Sequence, residues 1–391
     1  MSPTLKIGLF GFGCVGQGLW DVLHRTKGLQ TEITRICVKD RNKLRPIGAG
    51  MFTFEKNDIL EDPNVDVVVE LIDDADAAFE IVKSALQSGK AVVTANKKMV
   101  ASNFAELLEL QQATGKPVLY EASCCGSIPI IRNLEEYYDN DMLDGVQGIV
   151  NGTTNYILTK LTETSASYDD VLREAQQLGF AESDPTLDVE GYDAAFKTLI
   201  MGAHAFGTVL RPDDVIRRGI KAVSAFDAMT ARAHGNTIKL LSQSRILDGK
   251  LISYVLPAFV PLQDPLATVR NEYNAVLLHG AFSDAQFFVG KGAGGYPTAS
   301  AVLSDLAALR YAYKYEYKKI EQGTAPALTT RVPVRAYVRS HSADLVSSVP
   351  FTDVEVEYRS GANHYVIGTT LLESLYRSEA FADSRTFIAT L

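Results

Sequence analysis

Two short stretches of the chain carry residue types whose spacing could do chemistry. The first is GFGCVG, Gly11 to Gly16, with Phe12, Cys14 and Val15 between the glycines. Between a strand and a helix, Gly11 permits a tight turn, Gly13 lets the backbone approach a pyrophosphate, and Gly16 allows close helix–strand packing. The helix that follows offers free N–H groups to phosphate. The second stretch is AESDPTLDVEGYDAAFK, which sets Glu182, Asp184, Asp188, Glu190 and Asp193 ahead of one amine, Lys197. Acid runs commonly form solvated faces or turns, and Asp184-Pro185 reads as a turn opener. Asp193 and Lys197 are four apart and share a helix face. On a surface that pair is worth only a few tenths of a kcal/mol. Facing a cleft, it becomes a held amine.

The elements that must position these groups are legible in part. Residues 5–10 form a short apolar run, as in a buried parallel strand. The helix after it has Val15, Leu19, Val22 and Leu23 on one face. Further strands are expected at 31–38, 65–72, 90–94 and 118–122, with helices at 75–88 and 103–114; Gly89 ends the first of these helices. This alternation predicts an α/β fold, a doubly wound parallel sheet of Rossmann type over residues 1–130. The second strand leads into Val38-Lys39-Asp40-Arg41. An acid there holds the ribose 2′-hydroxyl of NAD, and a base accepts the 2′-phosphate of NADP. Lys39 and Arg41 tilt the reading to NADP. After residue 125, GIVNGTTNYIL at 148–158 couples a strand to a helix, with Asn151 and Thr153 as caps. An amphipathic helix follows at 167–178. The acidic stretch is then a loop leading into a helix at 192–206. At 290–306, GKGAGGYPTASAVLSDL runs from glycines into a small-residue helix, suited to close approach.

Composition bounds the rest. The chain has 391 residues, 46% hydrophobic and 22% charged, with a net charge of −9. That favours several soluble domains and argues against nucleic acid or anionic membrane as partner. No signal peptide, membrane span, internal repeat or low-complexity segment is read. Cys14, Cys37, Cys124 and Cys125 show neither a disulfide framework nor zinc spacing, so a cytoplasmic location is expected.

In order along the chain, GFGCVG, VVTANKKMVA (92–101), YEASCCGSIPII (120–131), GIVNGTTNYIL, GFAESDPTLDVEGYDAAFK (179–197) and GKGAGGYPTASAV (290–302) resemble homoserine dehydrogenases. The resemblance implies NADP- or NAD-dependent interconversion of L-homoserine and L-aspartate 4-semialdehyde. It implies Lys197 as the proton-transfer residue and Lys97 as a second active-site amine. Glu182, Asp188 and Asp193 would hold the substrate ammonium, with Asn151, Gly152 and Thr153 lining the substrate side. Gly292 and Ala293 would close over the cofactor, and Thr94 and Asn96 lie in the matching cofactor-side motif. It also implies a monovalent cation such as Na+ at Glu121 and the carbonyls of Cys124, Gly126 and Ile128. There CCGSIP replaces a more glycine-rich loop, so Cys125 and Ser127 carry a Cβ where the family has none. IDDADA at 72–77 likewise replaces glycines with acids. With no kinase segment before the first strand, a single-function enzyme is expected.

Three regions follow from this reading. The nucleotide domain, 1–130, is completed by a segment returning near 290–320. A mixed α+β substrate-binding and dimerisation domain spans 131–310. A small C-terminal α+β unit, 325–391, resembles an ACT fold lacking its first helix, with a tight turn at 361–362. Lacking the usual effector-site turn, it is expected to stabilise or dimerise rather than to sense an amino acid. The alternating tyrosines of YAYKYEYKK, 311–319, carry no functional reading. Two alternatives stand beside the main one. An aspartate-semialdehyde dehydrogenase would use Cys124 or Cys125 as nucleophile. A regulator that binds cofactor but has lost chemistry would not need Lys97 and Lys197.

Overall fold

The computed structural model describes residues 4–26, 28–139, 142–164, 166–361 and 363–391. The chain divides into two compact units: Met1–Asp139 with Gly290–Gln322, and Asn140–Val289 with Gly323–Leu391.

The first unit is built on a six-stranded parallel sheet. Its strands are β1 (Leu5–Phe10), β2 (Thr31–Cys37), β3 (Phe52–Thr53), β4 (Val67–Glu70), β5 (Ala91–Thr94) and β6 (Val118–Leu119), in the order β3-β2-β1-β4-β5-β6. This is the strand order of a dinucleotide-binding fold, with the first βα turn at the centre of the sheet. The strands are apolar because helices cover both faces: β4 is buried at every position. The helix Ala75–Gln87 is capped by Asp74, whose carboxylate accepts from Ala77 N–H. One of the acids of IDDADA is thereby used as a cap. Strand β6 stops at Leu119 rather than running to 122. Ser123 N–H turns back to Tyr120 O, and Glu121–Ser123 forms a 3-10 turn instead.

The returning segment supplies the helix Gly295–Leu309, which packs on the helix Cys14–Arg25. Glycines set that distance, since a Cβ on Gly18 would stand 2.6 Å from Gly295 O. The tyrosines of the alternating run close the segment on the sheet. Tyr317 and Tyr120 share a hydroxyl hydrogen bond of 3.0 Å, Gln111 donates to Tyr317, and the Tyr315 ring packs at a tilt against Tyr120.

The second unit is a ten-stranded sheet. It comprises β7 (Leu143–Ile149), β8 (Ile216–Arg217), β9 (Asn236–Leu247), β10 (Lys250–Pro261), β11 (Tyr273–Gly280), β12 (Asp284–Lys291), β13 (Pro333–Ser340), β14 (Asp353–Ser360), β15 (Asn363–Leu371) and β16 (Phe387–Thr390). The order is β12-β11-β7-β9-β10-β16-β13-β15-β14, with β8 beside β10. The C-terminal strands thus extend the same sheet, joined through the pair Ala258–Thr390. With the helices Ala343–Ser347, Leu372–Tyr376 and Glu379–Ala382 they form a βαββαβ run of ferredoxin-like topology. The first helix of the tail is therefore present, as a single turn whose Val346 is buried in the core, and not missing. Strand β15 runs through Leu371 and the helix Leu372–Tyr376 follows directly. Gly361 takes φ of 57° in the turn before β15, and Ala362 lies outside the described residues.

Candidate active site

The first βα turn has the geometry of a phosphate cradle. Gly11 has φ of 91°, and a Cβ there would stand 2.6 Å from Leu71 O. A Cβ on Gly16 would stand 2.6 Å from Gly11 O, whereas one on Gly13 would meet nothing within 4 Å. So Gly11 and Gly16 close the turn, and Gly13 leaves its outer side open. The helix begins with no side-chain cap and no acid in its first turn. Its N–H groups therefore remain available to an anion. These residues fit a dinucleotide pyrophosphate.

Beyond β2, Lys39 is exposed, 3.8 Å from Asp74. Arg41 pairs with Glu55 at 3.3 Å and lies over the Phe54 ring. Asp40 is exposed and bonds back to its own loop, its carboxylate accepting from Asn42 and Lys43 N–H.

At the carboxyl ends of β4 and β5 the side chains bind one another. Thr94 donates to Glu70 at 2.6 Å and accepts from Asn96 N–H. Asn96 donates to Ile72 O and caps the helix Lys97–Ser102 through Met99 N–H, which sets Lys97 as that helix's first residue. Glu70 is fully buried, and burial pushes its carboxyl up to about 7. Sequence reasoning passed over Glu70, although an acid closing an otherwise apolar strand is a visible signal.

The Glu121 carboxylate accepts from Ile131 and Arg132 N–H, at 2.9 and 2.8 Å. Ile128 O accepts from Ile130 N–H. These groups serve the start of the next helix. Cys125 adopts φ of 55° beside Gly126 at 53°, so a residue with a Cβ does enter the left-handed region here. Behind Glu121, its N–H donates to the buried Asp305, which also pairs with Arg132. Gly292 and Ala293 precede the helix Gly295–Leu309, whose cap Gly294 has φ of 118°.

The second unit gathers the acidic stretch. Asn151 follows β7 and caps the helix Gly152–Glu163, its Oδ1 accepting from Thr154 N–H. Its Nδ2 donates to Asp188 at 2.7 Å and to Asp193 at 2.9 Å. Asp193 Oδ2 also accepts from Lys197 Nζ at 2.7 Å, and Lys197 donates again to Val150 O at 2.6 Å. Lys197, Asp193 and Asn151 are 6%, 3% and 5% exposed, so this is a buried ion pair braced by an amide. The helix Tyr192–Phe206 that presents it starts from Gly191, at φ of 81°, and is pinned to β9 by the Thr198–Ser242 hydroxyl pair.

Of the five acids, only Asp188 and Asp193 join this cluster. Asp184 accepts from Thr186 N–H in a turn, Glu190 pairs with Lys221 at 2.6 Å, and Glu182 is exposed. Thr153 donates to Phe180 O, and Gly152 packs where a Cβ would stand 2.7 Å from Glu272 O. Two contributors carry no sequence signal: the Val150 carbonyl, and Gly219, where a Cβ would meet Val189 O of the acidic stretch.

A parallel sheet with this strand order and a glycine-tight first turn defines a dinucleotide-binding protein of Rossmann type. Family models match residues 11–121 as the homoserine dehydrogenase NAD-binding domain and residues 129–307 as homoserine dehydrogenase. The chain is 40% identical to a homoserine dehydrogenase of Bacillus subtilis, over 78% of this chain and 73% of that one. It is 38% identical to the Corynebacterium glutamicum enzyme, over 84% and 76%. A crystal structure of a homoserine dehydrogenase from Thiobacillus denitrificans superposes with a TM-score of 0.88 at 31% identity, covering 100% of this chain and 98% of that one. The chain belongs to the homoserine dehydrogenase family. The cysteine-nucleophile alternative gives way to this assignment, and Cys124 and Cys125 are both buried.

Proposed function

We propose that Lys197 is the proton carrier in the interconversion of L-homoserine and L-aspartate 4-semialdehyde, with NADP preferred over NAD. The observation that carries this reading is the fixation of Lys197 Nζ by Asp193 and Val150 O. An ammonium has three donors. Two are spent on the protein, which aims the third at a substrate oxygen. In aldehyde reduction Lys197 delivers its proton to the carbonyl oxygen; in the reverse direction the neutral amine takes the hydroxyl proton. The nicotinamide, when bound, supplies or accepts the hydride. Asp188 and Asp193 hold the substrate ammonium, since a charge removed from water needs a partner. Asn151 fixes both carboxylates, with Gly152 and Thr153 beside them and Glu182 at the exposed rim. Lys97 is the second active-site amine, orienting the substrate or relaying the proton.

The preference for NADP is supported by Lys39 and Arg41 standing outward while Asp40 is consumed by its own turn. A hyperthermophilic archaeal homoserine dehydrogenase, 26% identical with a TM-score of 0.69, is known in complex with NADPH. A homodimer through the second sheet is supported by the edge strand β12, which exposes Phe287 and Val289. The free cysteines are consistent with a reducing compartment.

The test is formation of reduced cofactor from homoserine, followed by its near-ultraviolet absorbance, with NAD and NADP compared. Wild type is expected to turn over with higher kcat/KM on NADP. Lys197→Ala is expected to lose about a thousandfold or more in kcat while cofactor binding persists. Turnover within about tenfold of wild type would remove Lys197 from the proton-transfer role. Equal efficiency with both cofactors would remove the NADP preference.

A further inference from the structure

We infer that Arg218 is a positioning residue for the reaction, anchoring a strap of residues 217–221 that grips the turn bearing Asp188 and Asp193. The inference rests on the reading of those carboxylates as the groups that hold substrate.

Consecutive residues of the strap engage the segment between the two carboxylates. The Arg217 guanidinium lies 3.4 Å from the ring centroid of Tyr192, the first residue of the helix that carries Asp193 and Lys197. Gly219 approaches so closely that a Cβ would stand 2.0 Å from Val189 O and 2.5 Å from Glu190 Cα. Ile220 N–H donates to Val189 O at 2.8 Å. Lys221 pairs with Glu190 at 2.6 Å. Residues 189, 190 and 192 are therefore held by one short piece of chain.

The strap itself has little sheet to hold it. Strand β8 pairs with β10 only at Ile216 and Arg217, and Arg218 N–H adds one bond to Val255 O. Beyond that point the Arg218 side chain takes over. Its guanidinium donates to the carbonyls of Phe381, Asp383 and Thr386, the Asp383 bond being 2.7 Å, and it lies over the Phe381 ring. These carbonyls end the helix Glu379–Ala382 and lead into β16, where backbone acceptors lack helical partners. A planar fork with five donors spread over three nitrogens can serve several separated carbonyls at once, whereas the three donors of a lysine share one nitrogen and reach fewer of them. The path runs from the C-terminal module through Arg218 to the strap, and from the strap to Asp188 and Asp193. None of these contacts is made to Lys197 itself, whose bonds go to Asp193 and Val150 O.

Loosening the strap therefore shifts the carboxylates relative to substrate, and small misplacements of this kind are costly. The full-length protein is assayed with homoserine and cofactor varied separately. Arg218→Ala is expected to raise the homoserine KM about tenfold while the cofactor KM moves by less than about twofold. Arg218→Lys recovers part of the loss. Combining Arg217→Ala with Arg218→Ala gives less than the sum of the two effects, since both act through one strap. An Arg218→Ala protein with lowered thermal stability and an unchanged homoserine KM would overturn the proposal, as would equal rises in both KM values. If Arg218→Ala does not fold, Arg217→Ala carries the same expectation from a partly exposed side chain. Failure of the underlying reading shows elsewhere: Asp193→Asn would then leave the homoserine KM unchanged.

Discussion

Lys197 and Asp193 illustrate how burial changes the worth of one residue pair. Exposed on a helix, the spacing contributes a few tenths of a kcal/mol. Buried as here, losing one partner strands a charge and costs about 3–5 kcal/mol. Glu70 is a buried acid of another kind, bound by Thr94 and Ile72 N–H without a cation. Burial raises its folded-state pKa from 4.5 to about 7. The folded protein thus holds the Glu70 proton more tightly than the unfolded chain does. Its contribution to stability is full below the unfolded value of 4.5 and is lost as pH rises through about 7. Glu70→Gln removes that dependence. Melting temperatures measured across this window are expected to fall by a few degrees more in wild type than in Glu70→Gln. Parallel slopes would refute the assignment.

At the scale of elements, Asn151 links two devices, the cap of the helix Gly152–Glu163 and the brace on Asp188 and Asp193. Substitution separates them. Asn151→Ser retains a capping oxygen but no amide donor, and is expected to lose about tenfold or more in kcat/KM with stability changed by less than about 1 kcal/mol. Asn151→Ala forfeits the cap as well and is expected to unfold at visibly lower denaturant. If the two variants have equal stability, the cap contributes nothing. The same contrast explains what the sequence disclosed. Strands such as Val67–Glu70, buried on both faces, read directly as apolar runs in βα alternation. Strand β9 does not, because Lys239, Ser242 and Ser244 are polar yet buried. Strand β10 hides behind Pro257 and Pro261, residues that argue against a central strand. Within the acidic stretch the residue types were plain. Which two acids matter was decided by Asn151, 37 and 42 residues away. Arg218 and Gly219 carry no local signal at all, since their roles exist only through contacts with distant chain.

At the scale of the whole molecule, the two units are separate cores, and the chain's single tryptophan, Trp20, lies in the first, on the helix that opens at the phosphate cradle. Its fluorescence therefore reports the nucleotide-binding unit alone. NADP at about a hundred times its Kd is expected to stabilise that unit by about 2.7 kcal/mol and to raise the midpoint of the Trp20 transition. A midpoint indifferent to NADP would contradict binding at this cradle. The return of residues Gly290–Gln322 to this unit has a consequence in time. A ribosome delivers the strands of the first sheet early, but Tyr315, Tyr317 and the helix facing Gly18 emerge only after the intervening lobe has been made. At about 5–20 residues per second, the half-finished nucleotide fold waits on the order of ten seconds or more with Tyr120 and Gly18 uncovered. Translation speed across the inserted lobe thus sets how long a nascent, sticky surface must be tolerated or chaperoned.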